Sequence, residues 1–190
     1  MRRDVVPELV FTVENFLDPE ECARYIAISE SGGFDDAPIS TSQGPMMRPE
    51  IRNNARVVVD DTALAAALWP RLAPHVPPVI ERGTPVGLNE RFRFYRYDPG
   101  QTFAWHHDGY YARPSGERSQ LTFMIYLNDG FAGGETNFDL SYPGTVSVVP
   151  KAGMALLFVH HLRHEGARIH SGRKYVLRSD VMYTQPPRLA

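Results

Sequence analysis

The sequence predicts an α+β domain, mainly β, in which two N-terminal helices form a layer behind an antiparallel jelly-roll core. Three observations carry this. From residue 91 onward, short segments rich in β-branched and aromatic residues recur at 91–97, 102–107, 120–127, 145–149, 154–159 and 173–183. Gly- and Pro-containing turns separate them: "DPGQ", "RPSGE", "NDGFAGG", "SYPG", "PKAG" and "HSG". Evenly spaced short strands with such turns make a sandwich or barrel. Both helical patterns lie earlier in the chain, so they are expected on one face of that sheet.

The elements follow in order. "LVFTVENF" (9–16) alternates as a strand does. Asp18 then offers an N-cap, Pro19 suits a first helical turn, and Gly32-Gly33 stop the helix near Ser31. Residues 34–50 hold Gly, Pro, Ser and two Met without a period, and read as a long loop. Loops of this length in a domain are functional or disordered, and a lid over the site is expected here. "ARVVVD" (55–60) is a strand, and "DTALAAALWPRLAPHV" a second helix closed by Pro74, Pro77 and Pro78. A chain of 190 residues fits one domain, with 1–90 as the strand, helix and lid layer and 91–185 as the jelly-roll core.

Composition narrows the function. Hydrophobic residues make up 43% and charged residues 22%, as in ordinary globular proteins. A net charge of −2 gives no electrostatic reason to expect nucleic acid or an acidic membrane surface. The one cysteine, Cys22, excludes an intramolecular disulfide and a thiolate-built zinc or iron–sulfur site, and is expected in a helix core. The start, Met1-Arg-Arg-Asp, has no apolar run suited to a signal peptide or a membrane span. A reducing cytoplasm is the expected compartment.

The chemistry is expected around "FAWHHDGYY" (103–111), read as a strand. Side chains alternate along a strand, so His106 and Asp108 share one face and His107 takes the other. Four further histidines, His160, His161, His164 and His170, cluster at and beyond the end of an apolar strand, and composition does not choose among them. Two histidines and a carboxylate on one face of a metal are the ligand set of non-haem Fe(II) oxygenases, although zinc hydrolases use the same donors. An oxygenase using 2-oxoglutarate also needs a buried cation for the co-substrate's far carboxylate. Lys174 fits, ten residues after His164, sharing one strand face with Val176, Arg178 and Asp180.

Three stretches, "YRYDPGQTFAWHHDGYY" (95–111), "LTFMIYLNDGFAGGETNF" (121–138) and "HEGARIHSGRKYVLRSDVMY" (164–183), resemble the prolyl-4-hydroxylase-like branch of the Fe(II)- and 2-oxoglutarate-dependent dioxygenases. The resemblance covers 90–185 well and 9–75 more loosely, through "NFLDPEEC". It implies a double-stranded β-helix and a hydroxylase that releases succinate and carbon dioxide. It implies Fe(II), 2-oxoglutarate and O2, with ascorbate as a supporting reductant. Iron would be bound by His106, Asp108 and His164, and the far carboxylate by Lys174 in preference to Arg178. Tyr97, Tyr126 and, more weakly, Thr122 match co-substrate contacts. Collagen-type members often carry Trp six residues after the basic residue. Asp180 stands there, which speaks against carrying over a peptidyl-proline substrate. The substrate, a small molecule or a protein or peptide residue, is left open. Asn54, Arg56 and Arg178 are candidates to touch it, with "RNNAR" (52–56) otherwise a polar loop. His107 is expected packed beside the site, His160, His161 and His170 at the surface or beside the site, and His75 exposed.

Overall fold

The computed structural model describes residues 1–141 and 144–185, so part of the "SYPG" turn and the last five residues lie outside the described residues. The strands are β1 Arg2–Val6, β2 Val10–Val13, β3 Asp35–Asp36, β4 Ile39–Thr41, β5 Gly44–Met46, β6 Ala55–Asp60, β7 Pro85–Leu88, β8 Arg91–Tyr97 and β9 Phe103–His106. They continue with β10 Arg118–Tyr126, β11 Ala132–Gly133, β12 Thr136–Asp139, β13 Thr145–Val148, β14 Ala155–Val159, β15 His164–Gly166, β16 Ile169–Ser171 and β17 Lys174–Tyr183. The helices are α1 Pro19–Ser31 and α2 Thr62–Leu72, the latter followed by a 3-10 turn over Ala73–His75.

Two sheets face each other. The larger runs β1-β2-β14-β10-β17-β8-β6-β3, with β7 also paired to β17; the smaller runs β13-β12-β15-β9. Strand alternation sorts the larger sheet's side chains into two layers. Phe94 meets Tyr25 of α1 at 6.5 Å between ring centroids, and Phe123 meets Phe16 edge-on at 5.5 Å. On the opposite face Tyr95, Tyr97, Thr122, Met124, Lys174, Val176 and Arg178 line a pocket between the sheets. The helical layer therefore supports one side of the sheet while the other is free for chemistry.

The helices form where capping and spacing place them. Asp18 accepts from the Glu21 amide, and Glu21 in return accepts from the Asp18 amide, closing a capping box. Asp61 caps α2 through the Leu64 amide. Leu68 and Leu72 of α2 and Cys22 and Tyr25 of α1 join the same buried core. Arg71 ties the helices together through Glu21 at 2.5 Å.

Four expectations need correction. The strand expected over 103–111 ends at His106, and Asp108 follows in the connection, held by its amide donating to the His160 carbonyl at 3.2 Å. Residues 34–50 are not one aperiodic loop: β3 extends the large sheet beside β6, and β4 and β5 form a hairpin. His75 is half-buried, and its carbonyl accepts from Arg2 at 2.7 Å. The short strands β1, β7, β11, β12, β15 and β16 were not expected. They run from two to five residues, too short for hydrophobic alternation to register.

Candidate active site

His106 closes β9 and His164 opens β15, and the two are direct cross-strand partners. Their rings lie 4.2 Å apart at the centroids. Each Nδ1 lies within hydrogen-bonding distance of the carbonyl two residues upstream, His106 to Ala104 at 2.7 Å and His164 to Leu162 at 2.9 Å. As donors there, both Nδ1 atoms leave Nε2 with its lone pair free, the arrangement metal-binding histidines use. Asp108 Oδ1 lies 3.8 Å from His106 Nε2, and Oδ2 lies 3.6 Å from His164 Nε2. One ligand atom from each of the three residues falls within 4.8 Å of the others.

The electrostatics suit a cation. Burial, with His164 nearby, pulls His106 down to about 3, and burial lowers His164 as well, so both imidazoles are neutral donors. Burial opposes ionisation of Asp108. Arg178 and the Thr122 hydroxyl work against it, and the carboxyl lies well below its usual range. The set is therefore two neutral nitrogens and one carboxylate, a donor set that fits Fe(II).

A hydrogen-bond chain orients the carboxylate. Thr122 donates to Asp108 Oδ2 at 2.6 Å, which spends its only proton. His160 Nδ1, 3.0 Å from Thr122 Oγ1, must then be the donor, and its neutral Nε2 accepts from Ser119 at 2.9 Å. The Ser119 oxygen receives the Tyr111 amide. His160 is thus buried behind the site. His107, expected to pack beside it, is exposed, as are His161 and His170.

Beyond the triad, the pocket closes on Lys174, which is 3% exposed. Its ammonium donates to the Gly134 carbonyl at 2.6 Å and lies 5.4 Å from the Tyr97 ring and 5.2 Å from the Tyr126 ring. Gly134 has φ +73, and a Cβ there would stand 3.2 Å from the Lys174 stem, so a side chain would crowd the lysine. Burial pulls Lys174 down to about 7, with Glu135 opposing. Burial lifts Tyr97 to about 12 and raises Tyr126, whose hydroxyl bonds Thr136 at 2.6 Å.

The remaining candidates divide. Arg178 is buried and ion-paired to Asp108 at 3.0 Å. Thr122 lines the pocket but spends its hydroxyl proton on Asp108. Arg56 lines a wider outer cleft. Asn54 is wholly buried and lines neither space; its side-chain oxygen accepts from Arg52 Nε at 2.8 Å, so the direct substrate contact expected of it becomes support for Arg52. Sequence reading missed Arg52, Arg93 and Tyr95. Strand parity with Tyr97 marks Tyr95 and Arg93, whereas nothing local marks Arg52.

A jelly roll with two histidines and a carboxylate at the mouth of its pocket, and a buried lysine further in, offers one place for a divalent metal and another for an anionic group. Residues 92–179 match the 2OG-Fe(II) oxygenase superfamily. The chain is 26% identical over 176 residues to prolyl 4-hydroxylase 1 of Arabidopsis thaliana, covering 82% of this chain and 61% of that one. It is 25% identical to a putative prolyl 4-hydroxylase of Acanthamoeba polyphaga mimivirus, over 87% of this chain and 71% of that one. Among solved structures, the fold matches a Pseudomonas putida prolyl-4-hydroxylase with TM-score 0.66 and 18% identity over 96% of each chain. It also matches a Trichoplax adhaerens prolyl hydroxylase in complex with a hypoxia inducible factor peptide, with TM-score 0.69 and 16% identity over 92% of this chain and 84% of that one.

Proposed function

We propose that the chain is an Fe(II)- and 2-oxoglutarate-dependent oxygenase that hydroxylates an unactivated C–H bond and releases succinate and carbon dioxide. The observation that carries this is the joint geometry of the pocket, with the His106, Asp108 and His164 donor set at one end and an unneutralised buried ammonium at the other. Iron held by those three residues supplies the activation of O2 that couples decarboxylation of 2-oxoglutarate to C–H oxidation.

The chain's own residues bind and position. Lys174 receives the far carboxylate of 2-oxoglutarate, with Tyr97 beside it. Tyr126 and Thr136 close the wall around that end. Arg178 and Thr122 fix one oxygen of Asp108, which leaves the other turned toward His106. Apolar side chains, Phe103, Met124, Phe158 and Val176, line the space between and exclude water. The substrate, a small molecule or a peptide residue, enters through the outer cleft, and residues 34–50, which place Ile39 on that cleft, cover it. No helix among the described residues is long and apolar enough to cross a membrane. A reducing cytoplasm, which keeps iron ferrous, is the compartment proposed.

Anaerobic titration of the Fe(II)-loaded protein with 2-oxoglutarate tests the reading. One molecule should bind per chain, and succinate should form on admission of oxygen. Metal binding without 2-oxoglutarate binding would instead favour a hydrolase built on the same donors.

A further inference from the structure

The geometry points to a substrate that carries a carboxylate, received by Arg52 and Arg93 in the outer cleft; this rests on the oxygenase reading above. The cleft, about 720 Å³, adjoins the inner pocket and shares Tyr95, Phe103, His106, Asp108 and Arg178 with it. Four arginines line it, Arg52, Arg56, Arg93 and Arg178, against two carboxylates, Asp108 and Asp180. That leaves a positive excess around a space beside the reacting centre.

The protein neutralises this charge only in part: Arg178 pairs with Asp108 at 3.0 Å, and Arg93 lies 3.7 Å from Asp180. Arg52 is 5% exposed, and its guanidinium lies 4.5 Å from the Tyr95 ring and 4.4 Å from the Phe103 ring. Its Nε is used by Asn54, while its Nη2 is buried without a hydrogen bond. A guanidinium held between two rings is a pre-oriented fork, suited to a planar carboxylate. Arg93 sits directly across from Arg178 on the neighbouring strand, a like-charge pairing that is destabilising by itself. Its Nη1 is likewise buried without a hydrogen bond, since Asp180 Oδ2 is 3.7 Å away. Asp180 is already engaged with Asn89 at 3.2 Å and Arg178 at 3.5 Å.

Neighbouring groups register the unbalanced field. Arg56, directly across from Tyr95, is pulled down by burial and then by Arg52 and Arg93. Burial would raise the Tyr95 phenol, yet Arg52, Arg178 and Arg93 bring it down to about 8. The co-substrate does not answer this demand, because its far carboxylate belongs to Lys174 at the closed end. An excess of two charges suits one carboxylate group and not a long polyanion, in a chain whose net charge is −2. The carboxylate is either the α-carboxylate of a free amino acid or an acidic side chain in a peptide.

Calorimetry on the protein loaded with Mn(II) and 2-oxoglutarate separates these sources. One arm uses N-acetyl amino acids against their amides, and the other capped Glu-containing peptides against their Gln counterparts. In one arm the acids should bind at least about tenfold more tightly than the amides. Arg93→Gln and Arg52→Lys should each remove most of that preference while 2-oxoglutarate binds as before; Arg52→Lys keeps the charge and loses only the fork. Equal binding of acids and amides, no binding in either arm, or a preference that survives both substitutions would overturn the proposal. Failure of 2-oxoglutarate to bind the wild-type protein, read in the loading titration, would sink the oxygenase reading and this inference with it.

Discussion

Lys174 and Arg178 project from the same face of β17, about 13 Å apart along the strand at ~3.3 Å per residue, and their surroundings differ in kind. Lys174 meets one carbonyl, that of Gly134, and two aromatic rings. Arg178 meets the carboxylate of Asp108 at 3.0 Å and that of Asp180 at 3.5 Å. Both are buried, so both lose hydration. Burial wins at Lys174 and brings it down to about 7, whereas at Arg178 burial is outweighed by Asp108 and the protonated form is favoured further. A buried cation with its anion built in is an organising element. A buried cation without one is a place for an anion from outside.

That contrast breaks most easily at Lys174. Lys174→Met keeps the stem and removes the charge. The unpaired co-substrate carboxylate should cost about 3–5 kcal/mol of binding, roughly a hundredfold to several-thousandfold in affinity. Fe(II) binding should survive, since the ligands lie on other elements. Calorimetry on both ligands checks this.

Arg178→Met should act on the metal instead. Without its guanidinium the Asp108 carboxyl titrates upward, and Fe(II) affinity should fall by about 10–100-fold, as for loss of a group that orients a ligand. Loss of 2-oxoglutarate binding in Arg178→Met, with a mild effect in Lys174→Met, would reverse the assignment.

The pH dependence sharpens the same distinction. Only the protonated Lys174 attracts the carboxylate. Above about 7, where the free protein loses that proton, 2-oxoglutarate binding should weaken by about tenfold per pH unit, until the pKa of the bound state is reached. The stability effect has the opposite sense. Lys174 binds its proton less tightly folded than unfolded, so the unfolded chain holds more protons between about 7 and the ordinary lysine value. This residue's contribution to stability therefore rises with pH through that window. A 2-oxoglutarate affinity that is flat from pH 6 to 9 would argue against Lys174 as the anchor.

The smallest effect is expected at His107. It is exposed and makes no hydrogen bond to the triad, so His107→Ala should leave Fe(II) affinity within about tenfold. Metal loss in that variant, with retention in His106→Ala, would move the ligand by one residue.

Much of this was written locally in the chain. Alternation of Phe94, Tyr95, Phe92 and Arg93 along one strand fixes two faces without any partner, because successive side chains must point to opposite sides. Asp18 with Glu21 fixes the start of α1, because the capping partners are three residues apart. The His106-x-Asp108 pair was legible through strand parity, whereas His164 was singled out from four histidines only by the family resemblance. Parity put His106 on the side of Asp108, where the fold also places it, although the strand stops there and Asp108 is set by a bond to the His160 carbonyl.

What only the tertiary structure decided are the partnerships between strands far apart in sequence. Register sets Arg93 against Arg178 and Tyr95 against Arg56, and folding brings Arg52 between Tyr95 and Phe103. It also turned His160 from one of several histidines into the support of Thr122 and Asp108. Residue type and local spacing specify which chemistry a chain can perform. Which charges are neutralised inside the fold, and which are left for a ligand, depends on contacts between elements tens of residues apart, and those exist only once the two sheets have closed on each other.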